Sequence, residues 1–317
     1  MPTPSYTRIT RRAERTLAFA ALLGSIAGCA VLDRNIAPWQ EYASAKPAPP
    51  AIVLNAEDRG RGRPVLLIHG FGNSIYVWRN VAPGLAESCR VIAVDLKGFG
   101  SSPKPEDGHY SVYDQAALIR DFVIAHDLRD VTLVGHSFGG GTALVATLFL
   151  QEAAPGRQSS LVLIDSVAYP QELPFFIRVL ATPVLGPVLA RVIPPETQVR
   201  SVLKEVYFDD AAVPEDAVRV YAEGLSTAEG RCATVQTARQ ILPPDLDDLA
   251  RQYSAIKVPT LVVWGRHDTI VPLAVGERLR GAMPGARLEV FEDSGHSPQE
   301  ERPQSLMPLL RDFLGCR

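Results

Sequence analysis

Six short runs of unbroken apolar character recur along the chain: Pro64–Ile68, Arg90–Val94, Val131–Val134, Leu161–Ile164, Thr260–Trp264 and Leu288–Phe291. A strand with one face in water alternates apolar and polar residues, whereas continuous runs mark strands buried on both faces. The pattern predicts an α/β fold, a mostly parallel sheet with helices on both faces. A weaker run, Ala51–Leu54, predicts an edge strand before the turn at Gly60-Arg61-Gly62. The runs are regularly spaced as far as Asp165, and the next begins only at Thr260. That interval is too long for one crossover. It holds helix-like pieces at Leu173–Leu180, Val184–Val192, Glu196–Tyr207, Pro214–Glu223 and Asp245–Tyr253, so residues 169–255 read as a helical cap inserted between sheet segments 51–168 and 256–317. The first part of the cap, Phe175 to Leu185, is strongly apolar; a lid over a binding site presents some of such a surface inward.

Bulk composition narrows the function classes. With 317 residues, 46% hydrophobic, the chain can bury a large core, and a net charge of −3 offers no broad basic surface for nucleic acid. The N-terminus has the layout of a secretory signal, residues 1–28. Arg8, Arg11, Arg12 and Arg15 form a basic head, and Thr16–Leu32 then carries no charge. This segment ends Ile26-Ala27-Gly28-Cys29, which resembles a bacterial lipobox. The resemblance implies that Cys29 is lipidated, that residues 29–50 link the anchor to the fold through Pro47-Ala48-Pro49-Pro50, and that the protein sits on the periplasmic side of an envelope membrane. A plain cleaved signal, giving a periplasmic or secreted protein, is the alternative. An uncleaved anchor is a second one, its run being at the short limit of the about 17–25 residues that span a bilayer. Cys89, Cys232 and Cys316 would remain, allowing at most one intramolecular bridge. None has metal or redox spacing, and buried or free thiols are expected.

The candidate chemistry begins at Gly135-His136-Ser137-Phe138-Gly139, where a strand-like run breaks and restarts as a small-residue helix. A G-x-S-x-G turn between strand and helix holds its serine exposed, and glycines flank it because side chains there would collide with the backbone they cross. A serine hydroxyl is a poor nucleophile at neutral pH, so a histidine base and an orienting acid are needed. Ser137, Asp268 and His296 occur in the order nucleophile, acid, histidine that this arrangement uses.

Around that turn the chain, from about Ala51 to its end, resembles the α/β-hydrolase family. His69-Gly70-Phe71-Gly72, Asp95-Leu96-Lys97-Gly98-Phe99-Gly100-Ser101-Ser102, Gly265-Arg266-His267-Asp268, and Ser294-Gly295-His296 followed by Glu301-Arg302-Pro303 carry the resemblance. It implies Ser137 as nucleophile, His296 as general base and acid, Asp268 as orienting acid, and the backbone amides of Phe71 and Phe138 as oxyanion hole. Asp165 is the alternative acid. Asp95 reads as a turn-stabilising carboxylate, and His69 and His136 as structural hydrogen-bonders. No metal or cofactor is implied. The loop His69–Arg79 also looks like that of haloalkane dehalogenases and epoxide hydrolases, which attack with aspartate; serine at 137 instead implies an acyl-enzyme route. The expected activity is hydrolysis of a small or medium apolar carboxylic ester. Hydrolysis of carbon–carbon bonds in aromatic ring-cleavage products and haloperoxidase-like perhydrolysis are alternatives, although the loop lacks the G-G-P-G of many carbon–carbon hydrolases. A non-catalytic envelope lipoprotein that binds an apolar ligand is the reading from another class.

Overall fold

The computed structural model describes residues 35–46 and 52–316, so the leader with Cys29 and the proline-rich residues 47–50 lie outside the described chain. Seven strands form one sheet: β1 Ala56–Gly60, β2 Pro64–Ile68, β3 Arg90–Val94, β4 Val131–His136, β5 Gln158–Ile164, β6 Thr260–Gly265 and β7 Arg287–Phe291. Their order is β1-β3-β2-β4-β5-β6-β7, parallel throughout except where β1 pairs with β3. Successive side chains feed two separate cores, as the period of a strand requires. Leu66, Ile68, Ile92, Leu133, Leu161 and Val262 pack on one face with helices α3 (Val112–Ala125) and α4 (Phe138–Ala153). Val65, Leu67, Val91, Val134, Val162 and Val263 pack on the other with α2 (Ala82–Leu85) and α13 (Pro303–Leu314). A short α1 (Trp39–Ser44) precedes the sheet and leans on the first core through Trp39 and Tyr42.

The edge strand differs from the expectation. It forms at Ala56–Gly60, a run exposed at every position, and Ile52, Val53 and Leu54 are not in a strand; Ala51 lies outside the described residues. Leu54 is buried in the core, but outside the ladder. An edge open to water tolerates charge, and Asp58 of β1 takes a two-pronged contact from Arg90 of β3, so hydropathy pointed one turn too early.

Between β5 and β6 the chain forms α5 (Phe175–Ala181), α6 (Leu185–Val192), α7 (Pro195–Val206), α8 (Glu215–Ser226), α9 (Ala228–Gln240) and α10 (Leu246–Ala250). The sequence pattern did not anticipate α9. Its buried positions are Gly230, Thr234, Gln236, Thr237 and Gln240 alongside small apolar residues, so it carries no apolar stripe. The Thr234 and Thr237 hydroxyls are satisfied by donating to the carbonyls of Gly230 and Ala233, both at 2.8 Å. After β6 come α11 (Leu273–Ala282) and, past β7, α12 (Pro298–Glu301). The expectation of unpaired thiols is also corrected: Cys89 and Cys316 form a disulfide with Cα atoms 5.6 Å apart. They lie 227 positions apart in sequence, and only the folded sheet brings the start of β3 to the C-terminus.

Candidate active site

Ser137 occupies the one-residue turn from β4 into α4 with φ 55° and ψ −120°, a conformation costly for a residue bearing a side chain. The turn is held by Ser137 donating its amide to the Ile164 carbonyl at 2.9 Å, while its own carbonyl accepts from Gly141 at 3.1 Å and Val167 at 3.2 Å. The glycines are obligatory by contact. A Cβ on Gly139 would sit 2.2 Å from the His69 carbonyl oxygen, and one on Gly135 would sit 2.3 Å from that of Gly139.

The loops after β6 and β7 bring two more side chains to this point. His296 Nε2 lies 2.8 Å from Ser137 Oγ, and His296 Nδ1 lies 2.7 Å from Asp268 Oδ2. The other Asp268 oxygen accepts the amides of Ile270 and Val271 at 2.8 and 2.9 Å, which fixes the carboxylate's orientation. With Nδ1–H committed to Asp268, Nε2 is the nitrogen free to accept the serine proton. All three residues are buried, at the carboxyl edge of a parallel sheet where open α/β folds present their crevice.

Asp165, at the end of β5, lies beside this pair, and the His296 ring is bonded to Asp268 and not to it. Asp165 is fully buried, one oxygen accepting the Gly265 amide at 2.9 Å. Burial first, then the charge of Asp268, pushes its carboxyl well above the usual carboxylate range. Asp165, Asp268 and His296 place ligand-type atoms within 4.8 Å of one another. The 2.7 Å contact between His296 Nδ1 and Asp268 Oδ2 is a hydrogen bond, so these two groups already satisfy each other.

The loop after β2 closes the site. Phe71 follows Gly70, whose Cβ, were it present, would lie 3.0 Å from that of Ser137. Phe138 opens α4, so its N–H has no intrahelical acceptor. His69 secures the loop by donating Nδ1–H to the Gly70 carbonyl at 2.7 Å and accepting the Leu96 amide on Nε2 at 2.9 Å. Burial holds its pKa down, which suits that neutral tautomer. Asp95 stitches the neighbouring turn by accepting from Asn55 Nδ2, the Ile75 amide and the Ser101 amide at 2.7–2.8 Å.

Three supports hold the histidine loop: His136, expected as a structural hydrogen-bonder, Glu301 of the quoted Glu301-Arg302-Pro303 motif, and a cap contact that the sequence did not show. His136 donates Nε2–H to the His296 carbonyl at 2.7 Å, and burial drives its pKa well below the ordinary range. Glu301 gathers the amides of Gly295 and Ser297 at 3.0 Å. The cap contributes as well, since the His296 amide donates to the Val206 carbonyl at the end of α7 at 2.8 Å. The signal for Glu301 lay in the Glu301-Arg302-Pro303 motif, whereas the cap contact had none.

Above the triad lies a cavity of about 1200 Å³. Phe176, Leu180, Leu189, Ile193, Val202 and Val220 from the cap line it together with Phe71 and Ser137. Of the three described side-chain cations on its wall, Arg79 is ion-paired with buried Glu300, Arg59 reaches Glu57, and Lys104 donates to the carbonyls of Gly100 and Ser102.

A parallel sheet, a strained serine elbow and a histidine–aspartate pair at the strand ends together define a class of protein, the α/β-hydrolases. The chain belongs to the alpha/beta hydrolase fold family, which matches residues 63–303, and it is therefore a hydrolase. Among individual proteins it is similar to 2-hydroxymuconate semialdehyde hydrolase of Pseudomonas sp. strain CF600, 32% identical over 83% of this chain and 90% of that one. It is also similar to 2-hydroxy-6-oxo-2,4-heptadienoate hydrolase of Pseudomonas putida, 30% identical over 84% of this chain and 94% of that one. The solved esterase of Exiguobacterium antarcticum superposes with a TM-score of 0.70 at 26% identity, covering 83% of this chain and 96% of that one.

Proposed function

We propose that the protein hydrolyses a carboxylic ester carrying a medium or large apolar group, through an acyl-enzyme on Ser137. His296 takes the hydroxyl proton as Ser137 attacks the ester carbonyl and returns it to the departing alcohol; water, activated by the same imidazole, then releases the acid. Asp268 holds the ring and stabilises its charged form. The amides of Phe71 and Phe138 receive the developing oxyanion, each worth about 2.7–4 kcal/mol in the transition state. One observation carries this reading: the bridged Ser137–His296–Asp268 array faces an apolar cavity whose cations are already engaged. The N-terminal pattern supports placing the protein at an envelope membrane, and the Cys89–Cys316 disulfide suits an oxidising compartment.

Carbon–carbon bond hydrolysis is the second reading, and the relatives favour it. Both Pseudomonas proteins are named for hydrolysis of oxo-acid or semialdehyde compounds of that kind. An anionic dienoate needs a cation to hold it, and Arg79, Arg59 and Lys104 are occupied as described, which favours the uncharged ester. Hydrolysis of a chain-length series of p-nitrophenyl esters, run beside one ring-cleavage dienone, separates the two. The expected result is ester turnover that rises with chain length and falls about 10⁴-fold or more in Ser137→Ala. Dienone turnover exceeding that of every ester transfers the assignment to the second reading, and ester turnover surviving in Ser137→Ala overturns the mechanism.

A further inference from the structure

Most of the large apolar side chains that the described chain leaves open to water belong to one part of the cap. Phe175, Val184, Leu185 and Val192 are 68%, 56%, 47% and 66% exposed, and all lie on α5, α6 or the turn between them. From Leu173 to Pro195 the only charged residues are Arg178 and Arg191; there is no carboxylate. Arg178 reaches Glu172 just outside the stretch at 3.0 Å. Scattered apolar residues are ordinary on a surface, but four exposed ones on a stretch whose own charges are both arginine, with carboxylates only at its ends in Glu172 and Glu196, match an interface between hydrocarbon and anionic headgroups. The two helices have 7 and 8 residues and meet at 110°, so they lie along a surface; a span needs about 20 residues. Their junction is held at Val184 with φ 66°, a strained position for a β-branched residue, and it leaves Val184 and Leu185 in the open.

The same helices wall the cavity. Phe176, Leu180 and Leu189 face inward, and Phe175 and Leu185 belong to both the cavity lining and the open face. The open apolar surface and the cavity above Ser137 are thus separated by a single layer of helix. The proposed lipidation of Cys29 would place a membrane nearby. From Cys29 to Asn35, the first described residue, the chain can reach only about 20 Å. It then enters the fold with the Trp39 amide donating to Asp245 at 3.0 Å, just past the end of α9, the helix on which α5 and α6 pack.

We propose that the α5–α6 face of the cap docks on a phospholipid bilayer and that the cavity takes amphiphilic esters directly from it. Docking stands on exposure, charge and the short tether; the choice of substrate rests on the serine-hydrolase reading above. Val192 is absent from the cavity wall and marks the face itself. The test uses the full chain with vesicles of phosphatidylethanolamine and phosphatidylglycerol. In Val192→Trp the added fluorescence, after subtracting the wild-type signal, is expected to shift to the blue on adding vesicles and to be quenched by brominated acyl chains. No shift and no quenching overturns the docking, as does a shift that appears without vesicles and grows with protein concentration, the mark of a second copy on this face. Val184→Ser/Val192→Ser is expected to lower hydrolysis of a long-chain p-nitrophenyl ester embedded in the vesicles by about tenfold and to leave soluble p-nitrophenyl acetate unchanged. Equal loss on both esters, or none on either, overturns the delivery of substrate from the bilayer. If neither ester is cleaved by the wild type, the ester reading fails while the fluorescence still decides the docking.

Discussion

At the scale of single residues, the site is built from buried groups whose protonation the fold has chosen. His136 donates to the His296 carbonyl, and its folded pKa lies well below 6.5 because burial, and then the neighbouring His296, oppose its charge. As pH falls below about 6.5 the unfolded chain takes up that proton and the folded chain does not, so stability present above that pH is lost towards acid. His69, lowered by burial, acts in the same sense. His136→Gln keeps a donor without an imidazole and is expected to shrink the fall in Tm between about pH 7.5 and about pH 5.5, where each such histidine costs up to about 1.4 kcal/mol per pH unit. Thermal unfolding of the two proteins across that range checks this, and parallel curves refute it. Asp165 has the opposite sign. Its folded pKa lies above 3.8, so its contribution is full at acid pH and declines as pH rises through the folded value. The Tm of Asp165→Asn, measured relative to wild type, is therefore expected to climb with pH, whereas a constant difference would mean that Asp165 is ionised in the fold. Ser137, Asp268 and His296 were singled out by their motifs together with chain order, an order that Asp165 satisfies equally; that the His296 ring bonds to Asp268 while Asp165 lies buried beside it is a product of tertiary packing and leaves no mark in the sequence.

At the scale of elements, the elbow was readable because it depends on a local rule. Glycines at 135 and 139 are required by backbone contacts within one strand–turn–helix unit, and such contacts leave a signature at fixed spacing. Gly139→Ala is expected to cost about 1–3 kcal/mol from the forced contact with the His69 carbonyl, and to lower kcat further by pushing the oxyanion loop away from Ser137. Denaturation midpoints and kcat measured together test this: a stability loss with unchanged kcat would show that the loop is not displaced. Helix α9 illustrates the converse. A helix is found in sequence by its apolar stripe, and α9 buries threonine, glutamine and glycine, each satisfied by local hydrogen bonds or close packing that hydropathy does not record. The edge strand misled for a related reason, because β1 is charged, with Asp58 matched across the ladder by Arg90 and Glu57 paired with Arg59 at the open edge.

At the scale of the whole molecule, catalysis and cross-linking occupy opposite ends of one sheet. The triad loops follow the carboxyl ends of β4, β6 and β7, whereas Cys89 precedes the amino end of β3 and ties it to Cys316 near the C-terminus. The bridge closes a loop that contains nearly all of the hydrolase fold, including the cap, and cross-links over loops of this length typically stabilise by about 2–4 kcal/mol. Sequence arithmetic allowed one bridge and left the pair open, because pairing over 227 positions is a property of sheet order and leaves no trace in spacing. Cys89→Ser/Cys316→Ser is expected to lower Tm by about 4–8 °C, the change that such a loss produces in a chain of this size. Its kcat and KM on a short ester, measured well below the transition, should match those of wild type, since no catalytic hydrogen bond touches either cysteine. Addition of a thiol reductant to the wild type should lower its Tm by at least as much as the double substitution does. A variant that loses activity before it loses structure would show that the bridge reaches the oxyanion loop through the β2–β3 pair, and the separation of staple from site would fail.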